Sequence, residues 1–154
     1  EPEVIGLRFE GADSATASPV FQRALENVEA IVFCPSNPFL SVDPILALPD
    51  VREMIVASDV PRVIVSPIIG GRAVKGPAAR IFETFAHKPP SALAVAEHYE
   101  GMATHFVMDN EDEASRDAVE ALGYQVLVTE TLMIEDTHKI ALSTAVCKMA
   151  GVSI

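Results

Sequence analysis

The stretch Glu29-Ala30-Ile31-Val32-Phe33-Cys34-Pro35-Ser36-Asn37-Pro38-Phe39-Leu40-Ser41 passes from an apolar run straight into a stiff polar loop. Two prolines fix the backbone on either side of Ser36 and Asn37. A buried strand ending in such a loop is the arrangement by which open α/β sheets present ligand-binding groups.

The same pattern recurs along the chain. Apolar runs at residues 29–33, 62–66, 105–109 and 124–128 alternate with helix-like segments. Parallel neighbours need a crossover, and a helix is the usual one, so the alternation predicts an α/β fold with a mainly parallel sheet. After Lys75 and Gly76, Pro77 suits a first helical position; Ile81, Phe82 and Phe85 then share a face, and His87 and Lys88 close the helix. Asp109 or Asn110 caps the next helix, with Glu111, Asp112 and Glu113 in its first turn, Ala114, Ala118, Ala121 and Leu122 as its apolar positions, and Gly123 as the stop. The helix dipole accounts for those carboxylates better than a metal does. Ile134, Ala141, Ala145 and Met149 place the apolar face of a terminal helix over residues 135–150. Lys88-Pro89-Pro90-Ser91 is a break between helices inside one domain.

The 154 residues, 49% hydrophobic with mean hydropathy +0.29, suffice for one domain with a sizeable core. A formal net charge of -11 opposes contact with nucleic acid or an anionic membrane, so an anionic ligand must be held by local donors. No apolar run is long enough to cross a bilayer and no signal peptide is evident, which predicts a cytoplasmic protein. Cys34 and Cys147 are too few for a disulfide framework. The chain starts without Met and runs at once into residues 4–9, which look like a strand already under way; a fragment is expected.

A second polar loop follows the second apolar run: Ser66-Pro67-Ile68-Ile69-Gly70-Gly71-Arg72-Ala73-Val74-Lys75-Gly76-Pro77. Paired glycines let backbone N–H groups approach a ligand, and Arg72 and Lys75 can neutralise phosphate oxygens. It matches neither the G-x-x-x-x-G-K-[ST] nor the G-x-G-x-x-G pattern. A third loop, Thr129-Glu130-Thr131, follows the last apolar run. In a parallel sheet all three lie on one edge and can converge on a cleft. The competing account is that Gly70-Gly71 is only a tight turn, that Ser36 and Asn37 satisfy turn amides, and that Thr131 caps the final helix. His87, His98, His105 and His138 lack zinc spacing and are assigned to the surface or to helix ends. Cys34 has no base beside it and reads as a small buried residue; no G-x-S-x-G elbow surrounds Ser36 or Ser41.

At these residues the chain resembles the 2-phospho-L-lactate transferase family of coenzyme F420 biosynthesis. The resemblance rests on Pro35-Ser36-Asn37-Pro38 with Ser41, then Pro44-Ile45-Leu46, Pro49 with Val51-Arg52, the loop from Val65 to Pro77, Pro90-Ser91-Ala92, and Val128-Thr129 with Thr131-Leu132-Met133. It implies a Rossmann-like three-layer α/β/α fold, here an incomplete domain: residues 1–154 would be the C-terminal portion of a single transferase domain, without the N-terminal half of the family pattern. The implied reaction moves a 2-phospholactyl, phosphoenolpyruvyl or related group from a guanosine diphosphate adduct to the deazaflavin FO, releasing GMP. Magnesium is implied, with ligands outside this chain, as is a homodimer. Carried onto this sequence, Lys75 would be the catalytic charge stabiliser. Ser36, Asn37, Pro38, Ser41, Ser66, Gly70, Gly71, Arg72, Gly76, Thr129 and Thr131 would bind nucleotide and phosphate. The chain departs from the family at Cys34, where Gly is common, and at Glu130, where Asp is common. Two other readings stand beside this one: a non-catalytic nucleotide-sugar-binding regulator of the same superfamily, and an interaction or dimerisation half without ligand affinity of its own.

Overall fold

The computed structural model describes residues 5–73, 81, 84–85 and 88–153. Its strands are β1 (Ile31–Phe33), β2 (Arg62–Val65), β3 (Ile68–Ile69), β4 (Arg72–Ala73), β5 (His105–Met108) and β6 (Gln125–Val128). Its helices are α1 (Pro19–Leu25), α2 (Asp43–Leu46), α3 (Pro49–Ala57), α4 (Ala92–His98), α5 (Arg116–Glu120) and α6 (Asp136–Met149). The main sheet runs β1-β2-β5-β6 with every pair parallel, and β3 and β4 form a separate antiparallel hairpin. The four apolar runs are therefore the four strands of the α/β sheet. β2 and β5 read as continuous apolar runs because both faces of the sheet are covered there.

The strand pleat sorts these side chains into two cores. Ile64, Phe106 and Met108 point to one face, where they meet Leu46 of α2, Val51 and Ile55 of α3, Val95 of α4 and Val119 of α5. Val63, Val65 and Val107 point to the other, covered by Leu142, Val146 and Ala150 of the α6 segment. This is the three-layer Rossmann-like arrangement. Helix starts follow their punctuation: Ser18 caps α1 through Phe21 N–H at 3.2 Å, Pro49 opens α3, and Ser91 after the proline break caps α4 through Ala94 N–H at 3.1 Å. Of the helix expected after Gly76, Pro77, Phe82 and His87 lie outside the described residues; Ile81 and Phe85 are helical and pack on the first core.

Several expectations need correction. Residues 5–9 form no strand, and Ile5 is 93% exposed. Cys34 is exposed: it shares the pleat direction of Val32, and α6, lying over β2 and β5, leaves that face of β1 open. On α6 the buried face is Leu142, Val146 and Ala150, one residue on from the expected Ala141, Ala145 and Met149; one position is about 100° of helix rotation. The segment after β5 starts as a tighter 3₁₀ turn, Asn110–Ser115, before α5. With about 3.0 residues per turn there, the angular phase shifts. Ala114, Ala118 and Ala121 face solvent while Asp112 and Val119 are buried. Gly123, at φ 94, ends the element as expected. His105 sits buried on β5, its Nδ1 2.7 Å from Thr104 Oγ1, and burial pushes its pKa down; His98 and His138 do lie at helix ends.

Candidate functional site

Because all four main strands are parallel, the segments after Phe33, Val65, Met108 and Val128 emerge on one edge of the sheet. The ladder even extends into them, with Ser66 N–H donating to Val107 O at 2.9 Å and Thr129 N–H to Met108 O at 3.0 Å.

The first loop is shaped by its own side chains. Asn37 Oδ1 accepts from Phe39 N–H at 3.0 Å and Leu40 N–H at 3.1 Å, capping a short wide turn over Pro38–Val42. Ser41 N–H donates to Asn37 O at 2.9 Å, while the Ser41 side chain is exposed and Ser36 is half-buried. Pro38 and Phe39 are buried, and Asn37 Nδ2 is buried without a hydrogen-bond partner. The loop is moored to α4: the Phe39 and His98 rings meet edge-on at 4.7 Å, and His98 Nε2 lies 2.8 Å from Asp43 Oδ1.

The second loop is a hairpin. Ile68 and Ile69 pair with Ala73 and Arg72 around Gly70 and Gly71, at φ 54 and φ 73. Two consecutive left-handed residues make the primed turn that suits a two-residue hairpin, so the tight-turn reading of Gly70-Gly71 is correct as conformation. Ser66, 2% exposed, turns its Oγ inward: it accepts from Ile68 N–H and donates to Ile68 O, both at 3.1 Å. Its hydroxyl shapes the turn. Lys75 and Gly76 lie outside the described residues.

The turn after β5 joins the second loop to the third, Thr129-Glu130-Thr131. Asp109 Oδ2 accepts from Thr131 N–H at 2.8 Å and Thr131 Oγ1 at 2.9 Å, and Asp109 Oδ1 accepts from Glu111 N–H at 3.1 Å. Asp112 Oδ2 accepts from Gly70 N–H at 3.1 Å, and Arg72 pairs with Glu111 at 3.1 Å near the surface. Thr131 therefore braces the edge; α6 is capped instead by Glu135 and His138. Thr129 is half-buried and Glu130 exposed. Burial pushes the Asp109 carboxyl up, but the bonds from Thr131, Glu111 and Asn110 outweigh it and hold the group below its usual range. Burial drives Asp112 the other way, above its usual range; the charges of Asp109 and Glu111 push it further up, and the Gly70 bond, which pulls it down, does not restore it.

Sequence reasoning placed Gly70, Gly71, Arg72, Thr129 and Thr131 on one edge but missed Asp109 and Asp112 as the residues that connect them. Their signal was two aspartates three apart at a strand end, which a helix-dipole argument absorbed. Among the described residues, no group of three or more His, Cys, Asp or Glu side chains is placed to hold a metal ion. The carboxylates of Asp109, Asp112 and Glu111 are engaged by loop amides, Thr131 and Arg72.

Gly70 offers a direct check on the turn. An alanine there would sit at φ 54, and its Cβ would meet Glu111 Oε2. Gly70→Ala is expected to lower stability by about 1–2 kcal/mol, read as a shift in the urea midpoint. An unchanged midpoint would show that the turn relaxes freely.

The model of the family "2-phospho-L-lactate transferase CofD" matches residues 1–140. The chain belongs to this family. Among its relatives, the 2-phospho-L-lactate transferase of Methanosarcina barkeri is 38% identical over 133 residues, covering 86% of this chain and 42% of that protein. The 2-phospho-L-lactate transferase of Methanopyrus kandleri is 30% identical over 152 residues, 97% of this chain and 47% of the relative. The phosphoenolpyruvate transferase of Streptomyces griseus is 33% identical over 141 residues, 91% of this chain and 44% of the relative. This CofD-family chain thus spans under half the length of these curated relatives. Among the described residues, no helix is long and apolar enough to cross a membrane.

Proposed function

We propose that this chain is the C-terminal portion of a cytoplasmic transferase of coenzyme F420 biosynthesis. The full enzyme moves a 2-phospholactyl, phosphoenolpyruvyl or related phospho-acid group from a guanosine diphosphate adduct to the deazaflavin FO and releases GMP. The observation that carries this reading is the shared sheet edge: the loops bearing the family motifs at Pro35–Ser41, from Ser66, and at Thr129–Met133 all leave the same ends of parallel strands.

The chemistry asks for donors around phosphate oxygens. The FO hydroxyl oxygen forms a bond to the distal phosphorus, the bridging P–O bond to the GMP phosphate breaks, and the hydroxyl proton is lost. Charge on the phosphate oxygens is stabilised by fixed N–H groups and cations. On our reading, Lys75 supplies that cation with Arg72 in support, and Gly76 belongs to the same phosphate-binding motif. Ser36, Asn37, Pro38 and Ser41 form the wall on the β1 side, Ser66, Gly70 and Gly71 the floor, and Thr129 and Thr131 the far wall. The buried, unpartnered Asn37 Nδ2 supports the first of these, since a buried amide donor without a partner is costly unless a ligand or water takes it up. Magnesium belongs to this proposal with ligands outside the chain, and so does a homodimer.

The test is GMP release from the guanosine diphosphate-linked donor in the presence of FO, using the full-length reading frame. Lys75→Ala is expected to slow turnover about 100-fold, the scale of losing one preorganised transition-state donor. Unchanged turnover removes Lys75 from the mechanism. No GMP release by the unaltered enzyme removes the transferase reading itself.

A further inference from the structure

Two groups that the second loop offers to an anion, the Gly70 N–H and the Arg72 guanidinium, are already engaged by carboxylates of the protein. Gly70 N–H points at Asp112 Oδ2, 3.1 Å away, and the Arg72 guanidinium sits 3.1 Å from Glu111 Oε2. Glu111 also covers the side of Gly70 where a side chain would project. The two carboxylates are not equivalent. Asp112 is 8% exposed and tied to backbone; the Arg72–Glu111 pair is on the surface, its side chains 77% and 55% exposed. A buried acceptor on a backbone N–H is hard to displace, whereas an exposed ion pair contributes little and exchanges readily.

We propose that these neighbouring acids set the anion affinity of the Gly70–Arg72 loop in opposite directions: Asp112 is a positioning residue that fixes the turn, and Glu111 is an internal stand-in that presents Arg72 and yields it to a ligand phosphate. The inference deepens the proposed function and rests on it for the identity of the ligand. In the free protein Glu111 keeps Arg72 at the edge of the sheet, near the donors of the turn. When a nucleoside diphosphate group arrives, one phosphate oxygen replaces the Glu111 carboxylate on the guanidinium. Glu111 swings to solvent, and the Gly70–Asp112 bond stays closed.

The sign of the effect separates this from simpler accounts. Removing negative charge beside an anion site should strengthen binding at either position if only the net field matters, and damage to the fold should weaken it at both. Here Glu111→Gln is expected to tighten GDP binding by about 2–5-fold, the range of one exposed ion pair. Asp112→Ala is expected to weaken it by at least about 10-fold, through loss of a buried bond to a charged acceptor, and Asp112→Asn, which keeps an acceptor for Gly70 N–H, is expected to restore most of the loss. The measurement is calorimetric titration of the full-length protein with GDP.

Weaker binding in Glu111→Gln, or wild-type binding in Asp112→Ala, overturns the proposal. A ligand-free readout keeps its failure distinct from failure of the transferase reading. Amide exchange at Gly70, followed by NMR, should accelerate in Asp112→Ala and stay slow in Asp112→Asn and Glu111→Gln. If Asp112→Ala does not fold, the GDP affinity of Glu111→Gln and Gly70 exchange in Asp112→Asn still decide. If the unaltered protein does not bind GDP, the nucleotide reading fails, and slow Gly70 exchange in Asp112→Ala would additionally remove the positioning role.

Discussion

Replacing Phe106 with alanine is expected to cost about 3–5 kcal/mol of folding free energy, the range for deleting a large aromatic side chain from a close-packed core. Phe106 lies at the centre of the molecule. It is on β5, between β2 and β6, with 0% exposure, and its ring lies 5.6 Å from that of Tyr124. Tyr124 is held in place by its hydroxyl, which donates to Ala96 O at 2.9 Å, so the wall around the deleted ring is tied to α4 and cannot collapse freely. Urea unfolding monitored by far-UV circular dichroism gives the number. Val32→Ala, at a position 42% exposed on the same sheet, is the comparison and should cost much less. A loss below about 1 kcal/mol for Phe106→Ala would mean that this core is not packed as described.

The second large effect belongs to Asp109. Asp109→Ala leaves the buried Thr131 N–H and hydroxyl without their shared acceptor and removes the cap on Glu111, for an expected cost of about 2–4 kcal/mol. Its pH dependence has a definite sign. The folded carboxyl titrates below its ordinary value of 3.8, so its contribution is complete at pH above that value and is lost as pH falls through the lowered folded value. Asp112, raised in the folded state, runs the other way and costs stability while it is ionised. Unfolding midpoints for the unaltered chain and Asp109→Ala should therefore lie well apart at pH 7 and draw together as the pH falls below 3.8. A gap that stays constant across that range would show that the carboxylate charge is not what Thr131 and Glu111 use.

These two residues mark how much could be read from the chain alone. Phe106 was legible because strands covered on both faces are apolar without alternation, and residues 62–66, 105–109 and 124–128 have no other good use for such runs. The loops were legible for a related reason: a parallel sheet puts every strand end on one edge. The connections between the loops were not. Asp109 and Asp112 sit where an acid is already favoured by a helix start, so one local explanation hid a long-range one. Helix faces failed on phase. Leu142 and Val146 were available as anchors, but the alanine and methionine series one position earlier fitted the same period, and only the sheet beneath α6 decides between them. After β5, the 3₁₀ turn changed the residue count per turn, which no apolar pattern of four alanine and leucine positions could reveal. Lys75 was legible only as a motif position and stands outside the described residues.

The moorings of the edge loops differ in kind. Asp109 and Asp112 link the segments that follow β2, β5 and β6, while Phe39 and Asp43 carry the β1 loop on His98 at the end of α4. Mechanically the β1 loop is cantilevered from one helix end while the other loops are cross-tied to each other, so a lesion at His98 would loosen one wall and leave the rest braced.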